Sequence, residues 1–343
     1  MAQYRLWGWG VILLWAMVLG ACTKTPQERY DKILQQYRTG EVKEDPQPLA
    51  QGLLEYAALG QTKNKDIVTG DEVLFKNDED TLAILWPEEE YNLSMVRQIT
   101  EVAMDETNTV ATDGKEFFLY TRKGELLKRG GPKESEETIE AMVLYREGIF
   151  YYRGGRVYRH DLTADRSRPF TGESFKSPYK EYFQKRLLRK NSIGALVLGI
   201  AGSYYISLFD LAAEEMRIKN LKAASSHIAL GDEGIYYVTG KTGGWEVMFL
   251  QYDNKEKTKI RSFKDILNLE LFSEALVTET KKGVFIMPYR GEAVKIPFNF
   301  TIKGKSGENM IIESEGELYL ASVPLFFEGL LLAERAAPHL FKE

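Results

Sequence analysis

Gly148-Ile149-Phe150-Tyr151-Tyr152-Arg153-Gly154-Gly155-Arg156-Val157-Tyr158-Arg159-His160-Asp161-Leu162 is the stretch whose reading decides the fold. An aliphatic–aromatic run, a Gly-Gly pair and a second apolar run spell strand, tight turn, strand. Two-residue hairpin turns demand positive φ at their central positions, which glycine adopts without steric cost.

The same grammar recurs on both sides. Upstream are Val73-Leu74-Phe75 with Leu82-Ala83-Ile84-Leu85-Trp86, and Phe117-Phe118-Leu119-Tyr120 before Lys123-Gly124. Downstream are Tyr204-Tyr205-Ile206 with Leu208-Phe209-Asp210-Leu211, and Ile235-Tyr236-Tyr237-Val238 with Val247-Met248-Phe249-Leu250 across Gly243-Gly244. Val284-Phe285-Ile286-Met287 and Leu318-Tyr319-Leu320 complete the series. The strand starts fall near positions 73, 117, 149, 204, 235, 284 and 318, at uneven intervals. Their mean falls within the repeat of roughly 40–50 residues that four-stranded propeller blades show. The expected class is therefore mostly β: a β-propeller, seven-bladed by this spacing, over residues 66–343 as one unit without a Pro/Gly/Ser-rich linker. The competing architecture is an irregular β-sandwich or two smaller β domains. The pattern at 148–162 resembles periplasmic β-propeller lipoproteins of the Tol system and of outer-membrane assembly; that resemblance lies in strand grammar and implies a binding role in the cell envelope.

Two stretches read as helical insertions that would explain the uneven intervals. Residues 176–190 carry Lys176, Lys180, Lys185, Arg186, Arg189 and Lys190 against the single acid Glu181, with Tyr179, Phe183 and Leu187 at i+4 spacing. This predicts an exposed basic amphipathic helix. Lys185, Arg186, Arg189 and Lys190 are its candidate binding residues, for an acidic partner or anionic lipid headgroups; the competing reading is a solvated helix face with no partner. Residues 263–276, with Phe263, Ile266, Leu267 and Leu271, read as a second helix.

Before the repeat, Thr25-Pro26-Gln27-Glu28 reads as a capping box with proline at the first helical position. Tyr30, Ile33, Leu34 and Tyr37 then share one helix face, and Gly40 ends the helix. A second helix is predicted from about Pro48 to Leu59, ended by Gly60. Together they make a helical hairpin within residues 22–65.

The N-terminal segment 1–21 differs from everything after it. Arg5 is the one charged side chain before Lys24, and the run from Leu6 to Leu19 is uncharged and mostly apolar. That run is short for a membrane span, which takes about 20 residues, and it matches an export signal. An uncleaved membrane anchor is the competing reading. Leu19-Gly20-Ala21-Cys22 resembles the lipobox of bacterial lipoproteins. The resemblance implies cleavage between Ala21 and Cys22, acylation of Cys22, and a place in the cell envelope facing the periplasm or surface. In the enterobacterial pattern of that family an aspartate after the cysteine retains the lipoprotein in the inner membrane; Thr23 stands there instead, so the resemblance implies the outer membrane. Cys22 is also the one cysteine in the chain, so no internal disulfide is possible.

Residues 22–343 would carry a net charge of −6, given −5 for the whole chain and Arg5 in the signal. Nucleic-acid binders are usually basic with a clustered patch, so nucleic acid is not expected as a partner. His160, His227 and His339 are far apart and read as surface or partly buried residues, and with no second cysteine a metal site is not expected. Lys303-Gly304-Lys305-Ser306-Gly307 contains the tail of a phosphate-binding loop, but Asn299 stands where the full pattern needs glycine, so the segment reads as a turn. No hydrolase elbow Gly-x-Ser-x-Gly occurs. The reading is a non-enzymatic binding or assembly scaffold, lipid-anchored in the envelope, with a protein partner and no cofactor; the alternative is a periplasmic hydrolase or lyase with its active site on the propeller face. Replacing Cys22 with Ser is expected to block both processing and fatty-acid labelling, as read by metabolic labelling and gel mobility; a Cys22→Ser chain that still matures and labels would disprove the anchor.

Overall fold

The computed structural model describes residues 24–341 apart from 63–66, 71–72, 79–80, 86–89, 94–98, 106, 122–123, 132–136, 171–183, 201, 273–274, 289–293 and 307–308, with the backbone alone over 62–98. The expected signal segment 1–21, the expected lipidation site Cys22 and residues 176–183 of the basic stretch lie outside the described residues.

Among the described residues twenty-eight strands, β1 to β28, form seven four-stranded antiparallel sheets. Six of these are runs of four consecutive strands: β2–β5 within 67–93, β6–β9 within 101–130, β10–β13 within 141–169, β14–β17 within 184–223, β18–β21 within 228–263 and β22–β25 within 268–295. The seventh is composite. Strands β26 (Thr301–Ser306), β27 (Asn309–Ser314) and β28 (Glu317–Ser322) are completed by β1 (Ala58–Thr62). From β2 through β6, β10, β14 and β18 to β22, the first strand of one sheet lies beside the first strand of the next, and β26 lies beside β3 (Val73–Asp78). The fold is a β-propeller.

In the sheets whose side chains are described, apolar residues bury against the neighbouring sheets. Ala103, Val110 and Phe117 pack on Met142, Leu144 and Tyr151; Val143, Phe150 and Tyr152 pack on Leu187, Leu196 and Phe209. Ile193, Val197 and Leu208 then meet Ile228, Ile235 and Tyr237, and Val238, Val247 and Phe263 meet Leu269, Leu276 and Phe285. The 148–162 stretch is the hairpin of β11 (Gly148–Arg153) and β12 (Arg156–Asp161), with Gly154 and Gly155 at φ 55° and 78°. Its Asp161 begins a second device. Oδ1 of Asp161 accepts from the N–H groups of Thr163 and Ala164, and Asp210 does the same for Ala212 and Ala213 in the next sheet.

The uneven repeat has a simple cause. The markers at 73, 149 and 235 fall on second strands of their sheets, whereas those at 117, 204, 284 and 318 fall on third strands. Second strands alone begin at 73, 108, 148, 193, 234, 275 and 309, a far more even series. No inserted helix is needed, and none is present at either position described. Residues 184–190 are strand β14 (Gln184–Lys190), and the expected helix at 263–276 is the end of β21 (Lys257–Phe263), then β22 (Asn268–Leu271) and the start of β23 (Ala275–Thr280).

At the N-terminus, helix α1 (Pro26–Thr39) carries the expected capping box: Thr25 Oγ1 accepts from the Glu28 N–H, and the Glu28 carboxylate accepts from the Thr25 N–H at 2.9 Å. Helix α2 (Gln47–Ala57) stops earlier than expected, because Leu59 and Gly60 belong to β1. The propeller thus begins before residue 66, and the hairpin is not a separate preamble. It packs on a third helix, α3 (Val323–Ala336), which the repeat pattern alone does not predict. The signal for it is local: Pro324 in the first turn, then Phe326, Phe327, Leu330 and Ala333 on one buried face. Tyr30 Oη donates to the Gly329 carbonyl at 2.9 Å, and a Cβ on Gly329 would come within 2.5 Å of Leu53 Cδ1, so any larger residue there would force Leu53 to shift.

Phe326 is 2% exposed and stacks edge-on against Phe300 beside β26 and against Phe327. Phe326→Ala is expected to cost about 3–5 kcal/mol. In urea titration the loss should appear as one transition shared by helix and sheet signals, since the helices and the composite sheet share a core; a separate early transition of the helices would contradict that coupling.

Candidate functional site

The first strands of the sheets line the propeller axis, and a cavity of about 330 Å³ lies among them. Its walls come from β6 (Glu101–Met104), β10 (Ala141–Tyr145), β14, β18 (Ile228–Leu230), β22 and β26. Apolar groups such as Val102, Met142 and Leu271 belong to the wall, but its charged members are numerous: Lys185, Arg186, Arg189, Lys190, Lys303 and Lys305 against Glu101 and Glu270.

The basic residues expected on an exposed helix are therefore on an inner strand. Helical spacing misleads here because β14 is covered on both faces. Leu187 buries among Val143, Phe150 and Leu196 on the side of the preceding sheet, and Leu188 packs with Ile193 and Ile228 on the side of the following one. A strand packed on both faces reads as a continuous run rather than an alternation, and periodicity alone does not separate it from a helix. The αL residue Asn191, at φ 52°, then turns the chain into β15 (Ile193–Ile200), whose pairing with β14 runs from Gln184↔Gly199 to Lys190↔Ile193.

The strand's two faces send their charges in different directions. Lys185, on the Leu187 face, forms an ion pair with Glu140 just before β10. Arg189, on the same face, donates to the Met104 carbonyl at 3.2 Å and the Asn191 carbonyl at 3.3 Å. Arg186, on the opposite face, is exposed to the cavity, and its charge acts on Glu101 of β6, Glu270 of β22 and His227 just before β18. One guanidinium felt from three other sheets stands close to the axis. From β26, Lys303 pairs with Glu313 of β27, and a bulge between Ile302 and Gly304 offsets the strand there. The Lys303–Ser306 segment is thus inner strand, not a turn. Bulges re-aim side chains, and Lys305 just beyond the bulge is a cavity-wall residue.

Burial pushes the Glu101 carboxyl up to about 7, with Arg186 pulling the other way. Burial also raises Glu270, opposed by Lys305 and Arg186. His227 is lowered, first by burial and then by Arg186, both of which disfavour its charged form. Burial in the wall thus disfavours the charged form of both its acids.

A second constellation lies away from the axis. His160 is 1% exposed and so fully buried, where a surface or partly buried residue was expected. Its Nδ1 is 3.0 Å from Ser167 Oγ, and its Nε2 is 3.4 Å from Asp165 Oδ1. Burial lowers its pKa, and it lies directly opposite Ser167 in the β12–β13 ladder (β13, Arg166–Pro169), packed on Phe117. This arrangement locks the hairpin that ends with Asp165 in the αL conformation. His339 is exposed. Among the described residues no three His, Cys, Asp or Glu side chains converge as metal ligands, and no helix is long and apolar enough to cross a membrane.

No protein-family model matches the chain, and no curated protein matches it. Solved structures share its fold at low identity. The Dos1 propeller aligns with a TM-score of 0.50 at 9% identity over 73% of this chain and 75% of that one. The Pan2 WD40 domain of Neurospora crassa gives 0.48 at 10% identity over 75% and 88%. PorZ, a surface component of the type IX secretion system of Porphyromonas gingivalis, gives 0.47 at 13% identity over 66% of this chain and 32% of that one. At such low identity the likeness to the Dos1 propeller bears on the fold alone.

An acid whose pKa rises on folding holds its proton more tightly in the folded state, so its charged form costs stability. For Glu101 that cost grows as pH rises from its ordinary value of 4.5 through about 7. Glu101→Gln is expected to stabilise the protein by about 1–2 kcal/mol at pH 8, the full shift being discounted for water in the cavity. The gain should be smaller at pH 5. Urea midpoints at the two pH values measure this, and an equal gain at both would show that Glu101 does not titrate in that window.

Proposed function

We propose that this chain is a lipid-anchored cell-envelope binding scaffold, tethered through Cys22, that receives an anionic ligand or partner at the axis of its propeller. The observation that carries the reading is the cavity in which Lys185, Arg186, Arg189, Lys190, Lys303 and Lys305 outnumber Glu101 and Glu270, within a chain whose net charge is −5. Against a negative whole, a positive interior draws anions to one place and repels them elsewhere. The anchor rests on the lipobox-like Leu19-Gly20-Ala21-Cys22. The described fold starts at Lys24, so acyl chains on Cys22 would hold the helical layer near the bilayer, and two or three such chains suffice for stable attachment. The outer membrane is the site we favour, with the propeller in the periplasm or at the surface.

A second reading, a hydrolase or lyase, draws on one observation. Glu101 and Glu270 share the cavity with Arg186, and their pKa values are raised in the direction a general acid needs. We favour the scaffold because the cations, not the acids, dominate the wall.

The two are separated by purifying the protein from detergent-solubilised membranes. Wild type is expected to retain an anionic species, detected by native mass spectrometry and proteomics, that 1 M salt (Debye length about 3 Å) displaces. The Arg186→Glu/Lys305→Glu variant should lose it by more than tenfold. If wild type and variant carry the same set of species, the axial reading is wrong.

A further inference from the structure

We propose that the axial cavity is a site for one small soluble oxyanion of the phosphate or sulfate type, free or carried on a small molecule, clasped by Arg186, Lys190 and Lys305. The inference deepens the reading of the basic axis as a binding site and rests on it.

The first argument is the pairing of charges. Of the six cations on the wall, Lys185 is matched by Glu140 and Lys303 by Glu313, and Arg189 donates to two backbone carbonyls. Arg186, Lys190 and Lys305 form no hydrogen bond or ion pair among the described residues. Glu101 and Glu270 offset them only in part, because their enclosure disfavours the charged carboxylate. Like charges held in one enclosure repel unless a counter-charge sits between them. Among the described residues Glu101 and Glu270 are the counter-charges on the wall, and the rest of the balance is left to a ligand.

The second argument is convergence. Arg186 and Lys190 come from β14, and Lys305 from β26, three sheets further along the chain. Arg186 and Lys305 both act on Glu270, and Arg186 acts on Glu101 as well, so cations from separate sheets face a common space. Arg186 and Lys190 are four apart on one strand face, on the side of Leu188. A guanidinium fork pairs bidentately with two oxygens of a tetrahedral anion, and ammonium groups add point charges from other directions.

The third argument is size. About 330 Å³ is the room of roughly ten waters. That accommodates a tetrahedral oxyanion with part of its hydration shell or a small group attached. It lies at the lower end of the volumes of small-molecule sites, about 300–1,000 Å³.

The test is isothermal titration calorimetry on the full chain in detergent, at constant ionic strength, with sodium phosphate, sodium sulfate and sodium chloride. Phosphate or sulfate is expected to give saturable 1:1 heats that chloride does not. Arg186→Gln and Lys305→Gln should each weaken binding at least tenfold, while Arg129→Gln, which breaks a surface ion pair with Glu116, should leave it unchanged. Because each axial substitution removes a charge from a repelling set, the anion-free melting temperature should hold or rise, and this separates lost binding from lost folding. A parallel arm uses phosphatidic acid vesicles against phosphatidylcholine vesicles. Vesicle binding that depends on Arg186 without binding of inorganic oxyanion would overturn the proposal in favour of a lipid headgroup. Absence of saturable heats with phosphate and sulfate, or heats identical in the axial variants, would also overturn it. If the species retained from membranes still depends on Arg186 and Lys305 in that case, the broader reading stands and only the oxyanion assignment falls.

Discussion

The antiparallel pairing of β1 with β28, from Ala58↔Ala321 to Thr62↔Leu318, is the constraint on which the rest of the structure depends. A ring of sheets gains its inter-sheet burial only if its first and last members meet. Here a short N-terminal strand supplies the outer edge of the last sheet. Joining strands from opposite ends of the chain carries a loop-closure cost, but that cost grows only logarithmically with length. The three helices meet the cost locally. Tyr30, Leu34, Leu49 and Leu53 of the N-terminal pair share one core with Phe326 and Leu330 of α3 and with Ile302, Met310 and Ile312 of the composite sheet. The chain's two ends thus clamp the seam from outside while β1 stitches it.

Closure also determines what happens at the axis. The sheets turn both faces toward their neighbours, so apolar side chains go to the inter-sheet layers, and the inner edges carry what those layers cannot hold. Strand β14 shows the division along its short length: Leu187 and Leu188 serve the two layers, and the cations around them reach to partners or to the cavity. Elsewhere along the inner edge Ile228, Ala229 and Leu230 are buried, so the polarity of the axis is concentrated on particular strands.

The strands and their hairpins were legible because both codes are local. Gly154-Gly155 can only be a turn, and Asp161 and Asp210 announce theirs with side-chain oxygens that cap the following amides. The capping box at Thr25 and Glu28 was legible for the same reason. Strand phase was not. Second and third strands of a sheet are both apolar and both bounded by turns, so nothing in the immediate neighbourhood distinguishes Ile149 from Tyr204. The composite sheet was hidden because its fourth strand, Ala58-Leu59-Gly60-Gln61-Thr62, is a helix end by composition. It is a strand because β28 offers it an edge. As for the site, Lys185, Arg186, Arg189 and Lys190 were singled out as basic residues in an acidic chain, but on the wrong element. Lys305, Glu101 and Glu270 could not be singled out, since each is an ordinary charged residue until the ring brings it to the axis.

That last point bears on where function resides in such a chain. Glu101, Arg186 and Glu270 stand on three separate sheets, far apart in sequence, and no motif spans such separations. Lys305 is separated from β1 by almost the whole propeller, yet β26 and β1 are opposite edges of one sheet. The cavity therefore exists only while the seam holds. Its surplus of positive charge works against that seam, because three cations that Glu101 and Glu270 offset only in part push the inner strands apart. An anion between them would reverse the sign of that contribution, turning the axis from a source of repulsion into a cross-link between β14 and β26. Binding at the axis and closure at the rim are in this way one equilibrium.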